Sequence, residues 1–231
     1  PVSPFTVAAR ITNGAYGFTQ VSRTFPEGST RKDIARIASG HGELPSFDTA
    51  EFMALTEGKE GCLFPDTYFL PQNARAEDIV RIMEQNFTER MKDQEDDIAA
   101  SGKTLADIIT MASIIEAEAR TPEDRRMVAG ILWKRNSIGM PLQVDAVFLA
   151  VNGKKTDELT LDDLRIDSPY NTYRYKGLPP GPINNPGMDS IDSALHPASS
   201  AYLYYLSDKE GTMHYSKTFE EHKANKKKYL S

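Results

Sequence analysis

The sequence predicts an α+β fold, with a helix-rich middle, a small unit at the N-terminus and a β-hairpin near the C-terminus. Apolar residues recur every three or four positions through much of 76–136, the spacing of helices with one buried face. Strand-like segments with turn residues stand out near the two ends, and an irregular Gly- and Pro-rich stretch lies between the helices and the hairpin. The 231 residues suffice for one large domain or two small ones with a real core. At 39% hydrophobic and 26% charged, the chain is too apolar to be disordered.

Each element has a local cause. Residues 16–25 are strand-like, with Val21 and Phe25 set against Thr19 and Arg23. Pro26-Glu27-Gly28 is a turn, after which Ser29 or Thr30 caps a short helix carrying Ile34, Ile37 and Ala38. Residues 1–45 thus read as a small unit of their own. Asp48-Thr49-Ala50-Glu51 opens a second helix leading into Phe52 and Leu55. Residues 60–72 are apolar but broken by Pro65 and Pro71, so they form a short strand or packed loop. The longest helical pattern covers 76–100, with Ile79, Ile82, Met83, Phe87 and Met91 on one face. Further helices are expected over about 105–119 and 123–136, and Thr160-Leu161-Asp162-Asp163 opens a short one.

Residues 167–187 are irregular, and seven of the eleven from Gly177 to Gly187 are Gly or Pro. Such a stretch inside a compact domain is usually functional. His196-Pro197 ends a helix, residues 201–207 and 212–216 flank Asp208-Lys209-Glu210-Gly211 as a hairpin, and Thr218 with Glu221 is a capping box for a C-terminal helix.

Several functions are excluded early. With 27 basic against 33 acidic residues, the net charge of −6 argues against nonspecific binding to nucleic acid or anionic lipid. The single cysteine, Cys62, precludes an intrachain disulfide and a cysteine-based zinc cluster. His41, His196, His214 and His222 lack ligand spacing, so no metal is expected, and no cofactor motif such as GxGxxG or a P-loop is present. The basic run Lys223, Lys226, Lys227 and Lys228 reads as a solvated helix face. The longest apolar run, 146–151, is far short of a membrane span. A chain that opens Pro-Val-Ser-Pro reads as a fragment, with any leader or anchor upstream.

The most informative helix holds Met111-Ala112-Ser113-Ile114-Ile115-Glu116-Ala117-Glu118-Ala119-Arg120. It is apolar almost all round and therefore expected to be buried, yet it carries two glutamates. Glu116 falls inside the main apolar face, while Glu118 falls on its flank and the wheel makes it the less buried of the two. Two positions apart, the side chains diverge by about 160° and cannot form a joint carboxylate pair. A carboxyl in apolar surroundings has its pKa raised and can serve as a general acid near neutral pH. The pattern equally allows both to be surface residues paired with Arg120, Arg125 or Lys134.

A second candidate site is Ser168-Pro169-Tyr170-Asn171-Thr172-Tyr173-Arg174-Tyr175, where rings could stack on sugars and amides bond their hydroxyls. A loop pinned by packed tyrosines fits equally well. Gln143-Val144-Asp145 places an amide and a carboxylate in a turn ahead of an expected apolar strand.

In this order, these segments resemble the YceG-like family of endolytic murein (peptidoglycan) transglycosylases. The resemblance rests on Pro26-Glu27-Gly28-Ser29, Glu60-Gly61 with Leu63-Phe64-Pro65-Asp66-Thr67-Tyr68, the MASIIEAE helix, and Gly139-Met140 with Leu142-Gln143 and Asp145. It continues through Tyr170-Asn171-Thr172-Tyr173, Gly177-Leu178-Pro179-Pro180-Gly181-Pro182-Ile183, Asn185-Pro186-Gly187, His196-Pro197-Ala198 and Tyr202-Leu203-Tyr204. Two departures stand out. The family's Gln-Thr-Asp-Pro-Thr run reads Gln143-Val144-Asp145-Ala146-Val147, and Cys62 replaces a bulkier apolar residue.

The resemblance implies a LysM-like subdomain over 1–45 and a YceG-like catalytic domain over 46–231. It also implies one N-terminal anchor in the bacterial inner membrane, with the catalytic part outside the cytoplasm. The implied activity is cleavage of nascent glycan strands between N-acetylmuramic acid and N-acetylglucosamine, leaving 1,6-anhydro ends. Peptidoglycan strands are the implied partner, and cell-wall synthases are further expected ones. The family's catalytic glutamate matches Glu118. Glu116, Gln143, Asp145, Asn171 and Tyr173 are then expected to support it or position the sugars. Two rival readings are a glycoside hydrolase pairing Glu118 with Asp145, and a noncatalytic glycan-binding module of the cell-wall synthesis machinery.

Overall fold

The computed structural model describes residues 19–154 and 156–230, with Pro4 in addition. The part of the expected first strand over 16–18 lies outside these residues. Strand β1 (Gln20–Thr24) pairs antiparallel with β2 (Thr67–Pro71), Gln20 opposite Pro71 and Thr24 opposite Thr67. Between them lie α1 (Arg31–Ser39) and α2 (Thr49–Leu55), capped by Thr30 and Asp48, whose side chains accept from the Asp33 and Glu51 backbones.

One expectation changes here. Arg23 was set against Val21 and Phe25, but strand positions two apart share a face, so all three point inward. The Arg23 guanidinium is accommodated there by the Gly40 carbonyl at 2.9 Å and by Glu43 at 2.7 Å. Phe25, Ile34 and Ala38 pack with Phe52, Leu63 and Leu70, and with Ile79 and Met83 of α3 (Ala76–Lys92).

The helical pattern over 76–100 is two helices. After α3, the backbone leaves helical geometry at Gln94 (φ −107°, ψ 3°), and α4 (Glu95–Ser101) starts there. The last buried residue of the pattern is Met91, beyond which no α4 residue is buried to hold the axis straight.

A second core surrounds α5 (Leu105–Glu118), which packs on α6 (Pro122–Ser137) and α8 (Met188–Leu195). Ile108, Met111, Ile114 and Ile115 of α5 meet Val128 and Leu132 of α6 and Ile191 and Leu195 of α8. At about 25 cal/mol per Å² of apolar surface, each such side chain contributes roughly 1.5–3 kcal/mol on burial. Gly130 lets α6 approach the segment after α8, because a Cβ there would collide with the Ala198 carbonyl.

The expected strand at 146–151 is instead a 3₁₀ turn over Asp145–Val147 running into the short helix α7 (Phe148–Val151). A short apolar run such as 146–151 fits a helical turn as well as a strand. Asp163–Arg165 is a single 3₁₀ turn whose start is held by Thr160. Strands β3 (Tyr204–Ser207) and β4 (Met213–Ser216) form the hairpin, and α9 (Phe219–Tyr229) begins at the Thr218–Glu221 capping box. Among the described residues, no single helix is long and apolar enough to cross a membrane.

The two cores are joined by the Pro-rich loop. Asn185 accepts from the backbone N–H groups of Gly61 and Leu63 at 2.8 and 2.9 Å, and donates to the Ser29 carbonyl at 3.0 Å and Glu60 at 2.7 Å.

Candidate active site

Helix α5 ends at Glu118 because Ala119 turns extended (φ −137°, ψ 144°), and Thr121 then caps α6 with Pro122 in its first turn. Both glutamates therefore sit in the last turn of α5, pointing different ways. Glu116 is buried, 6% exposed, against the Arg125 guanidinium, which donates to it at 2.8 Å. Its other oxygen accepts the Gly187 backbone N–H at 3.0 Å, and Arg125 also donates to the Ala119 carbonyl at 3.2 Å. Its burial agrees with the helical wheel. Its chemistry is that of an ion pair, which ties α5 to α6 and to the loop before α8.

Glu118 faces a cleft of about 710 Å³, lined also by Arg120, Arg135, Gln143, Asp145, Tyr173, Tyr204, Tyr205, His222 and Lys226. One carboxylate oxygen accepts the Tyr205 hydroxyl at 3.0 Å. Burial is the main cause that pushes the Glu118 carboxyl up to about 7, and the nearby Asp145 charge adds to it. The Tyr205 bond, the Ala146 backbone N–H and the Arg135 charge pull the other way. Its place at the C-terminal, negative end of α5 also disfavours an anion. Tyr205 is held well above its ordinary pKa by burial and by Glu118, so it remains a donor.

The predicted site residues divide. Gln143 is exposed on the cleft with φ +50°, in the left-handed region that a residue with a Cβ seldom adopts. Its N–H donates to the Thr172 carbonyl at 3.2 Å, and the next N–H, of Val144, donates to the Thr172 hydroxyl at 3.0 Å. The Tyr170–Tyr173 segment thus fixes the turn that presents Gln143 and Asp145. Asp145 accepts the Tyr173 hydroxyl at 2.5 Å. The structure brings Glu118, Gln143, Asp145 and Tyr173 to one cleft.

Asn171 stays out of it. Its side chain is fully buried and donates to the Leu164 and Ile166 carbonyls at 3.0 and 2.8 Å, while its oxygen accepts the Tyr173 N–H at 3.0 Å. No polar atom is left for a sugar, so it shapes the loop. Tyr170 packs against the core and Tyr175 is exposed beside Asp167, so of the interleaved tyrosines only Tyr173 lines the cleft.

Sequence reasoning missed Tyr205, Tyr204 and Arg135; Lys226, read as part of a solvated helix face, is exposed and also lines the cleft. The signal available was the aromatic run beside the hairpin turn, which carried no chemistry until folding placed it opposite α5. Among the described residues, no three His, Cys, Asp or Glu side chains group as metal ligands do.

The model of the YceG-like family matches residues 1–228. An endolytic murein transglycosylase of Bacillus subtilis is 40% identical over 173 residues, 74% of this chain and 48% of that protein. One from Streptococcus pneumoniae is 33% identical over 172 residues, 72% of this chain and 31% of that protein. The chain therefore spans about half or less of the length of these curated relatives. The crystal structure of a yceG-like protein from Listeria monocytogenes superposes with a TM-score of 0.79 at 31% identity, covering 95% of this chain and 80% of that one.

Proposed function

This chain belongs to the YceG-like family, and from that premise we propose that it is the catalytic part of an endolytic peptidoglycan transglycosylase. The observation that carries the reading is Glu118, a carboxyl pushed up to about 7 in a cleft that also presents Gln143, Asp145 and Tyr173. Neutral near physiological pH, Glu118 donates its proton to the glycosidic oxygen between N-acetylmuramic acid and N-acetylglucosamine as the bond breaks through an oxocarbenium-like state.

The carboxylate that remains, held by the Tyr205 hydroxyl, then takes the proton from the C6 hydroxyl of the same sugar. That oxygen attacks C1 and closes a 1,6-anhydro ring. Because the nucleophile belongs to the substrate, the step needs no second carboxylate, metal or bound water. Gln143 and Tyr173 line the path on which the sugars would lie. Glu116 acts on this reading as a positioning residue, through Arg125 and Gly187.

A two-carboxylate hydrolase is the second reading, favoured by one observation: Asp145 lies close enough to raise the Glu118 pKa. Against it, the Asp145 carboxylate is already engaged by Tyr173. The wider reading includes a LysM-like subdomain over 1–45. It also includes an N-terminal anchor in the inner membrane, with the catalytic part outside the cytoplasm, and cell-wall synthases as partners.

Mass spectrometry of purified glycan strands after digestion tests the core of the proposal. Anhydro-ended fragments, one water lighter than hydrolysis products, are expected from the wild type and none from Glu118→Gln. Hydrated ends would establish the hydrolase, and no fragments from the wild type would establish a binding module.

A further inference from the structure

The cleft carries more positive charge than the proposed reaction uses. In a chain of net charge −6, Arg120, Arg135 and Lys226 all line it, and none forms an ion pair with a carboxylate among the described residues. Arg135 spends two donors on the Leu203 and Leu142 carbonyls, both at 2.6 Å, and lies over the Tyr204 ring, so its charge is fixed but not neutralised. Of the acids in the lining, Glu116 is paired with Arg125, Asp145 accepts the Tyr173 hydroxyl and Glu118 the Tyr205 hydroxyl, so among the described residues none pairs with Arg120 or Lys226.

His222, stacked on Tyr204 at the α9 wall, has a buried Nδ1 with no partner among the described residues. Burial lowers its pKa, and the charges of Lys226 and Arg135 lower it further, which places a positive field at that wall. Unpaired cations in a partly enclosed cleft focus field and attract anions.

We infer that this cleft holds a subsite for an anionic substituent of the glycan strand, a carboxylate of its peptide stems, with Lys226 and Arg120 as charge partners. The inference rests on the strand-cleaving reading and deepens it. A diphosphate at a lipid-linked strand end would offer similar charge. Stems, however, recur along the strand and so lie beside any internal bond, which a single terminal diphosphate does not.

The test compares kcat/KM on peptide-bearing strands, strands stripped of stems by an amidase, and stripped strands that keep a terminal diphosphate. The wild type is expected to prefer peptide-bearing strands by about fivefold or more at low salt, the scale of one partly solvated charge pair, with the preference shrinking at high salt. Lys226→Gln and Arg120→Gln should each bring the ratio toward one. Lys226→Arg should retain the preference, and so should Lys228→Gln, the same charge change outside the lining. Equal wild-type rates on the first two substrates, or an undiminished preference in the Lys226→Gln/Arg120→Gln double variant, would overturn the inference. A preference that follows the diphosphate would overturn the stem assignment. If no strand is cleaved, the proposed function fails separately, and strand binding by Glu118→Gln, with and without stems, still decides the subsite.

Discussion

Glu116 and Glu118 belong to one helix turn, yet Glu116 is held by a guanidinium and a backbone N–H, while Glu118 meets a phenol at the edge of a cleft. The difference lies in what faces each of them. Arg125 arrives from the start of α6 on one side, and the β3 strand brings Tyr205 to the other. The first environment pairs the carboxyl group with a guanidinium and uses it as a joint. The second penalises the anion and so keeps a proton available near neutral pH. Glu60 sharpens the contrast. Burial pushes it too up to about 7, but it lies between the two cores, bonded to Asn185 and the Arg31 N–H, and outside the Glu118 cleft. A raised pKa without access to substrate is a feature of packing.

The comparison breaks most visibly at Glu118. Glu118→Gln is expected to lower strand cleavage by about a thousandfold or more, within the range of general acid–base catalysis, in a strand-release assay. It should not cost stability. Because the folded pKa lies above the ordinary 4.5, the stability that this group contributes is present below about pH 4.5 and lost as pH rises through about 7. The variant escapes that loss, so its unfolding midpoint at pH 8 should lie above that of the wild type.

Glu116→Gln should do the reverse. It leaves the Arg125 guanidinium buried with the exposed Asp189 at 3.6 Å and the nearby Glu27 but without its close partner, a cost of about 3 kcal/mol by urea unfolding. Unchanged stability would mean that the ion pair is not the joint described here.

Smaller effects should separate the causes acting on Glu118. Tyr205→Phe removes a donor to the carboxylate, so the alkaline limb of the pH–rate profile should move up while kcat falls about tenfold. Asp145→Asn removes a neighbouring negative charge, so the same limb should move down by a fraction of a pH unit. A hydrolase that uses Asp145 would instead lose about a hundredfold or more in rate.

The helices around Glu118 were legible because apolar spacing and capping residues are local: Thr104, Thr121 and Thr218 all cap where the sequence places a helix start. What proved illegible depended on contacts distant in sequence. The break at Gln94 and the helical turn at 145–151 depend on what the apolar residues pack against, which periodicity does not encode. Asn171 looked like a sugar ligand by residue type alone, and only the fold shows its hydrogen bonds already committed. Tyr205 is 87 residues from Glu118, and only the hairpin brings the two together.

The most direct test is the titration of Glu118 itself, read as the side-chain carboxyl carbon shift in protein labelled at glutamate, with Glu118→Gln identifying the resonance. A midpoint near 7 is the expected result. A midpoint near 4.5 would mean that this side chain is already charged when the substrate arrives, and the acid on which the account depends would have to be sought elsewhere.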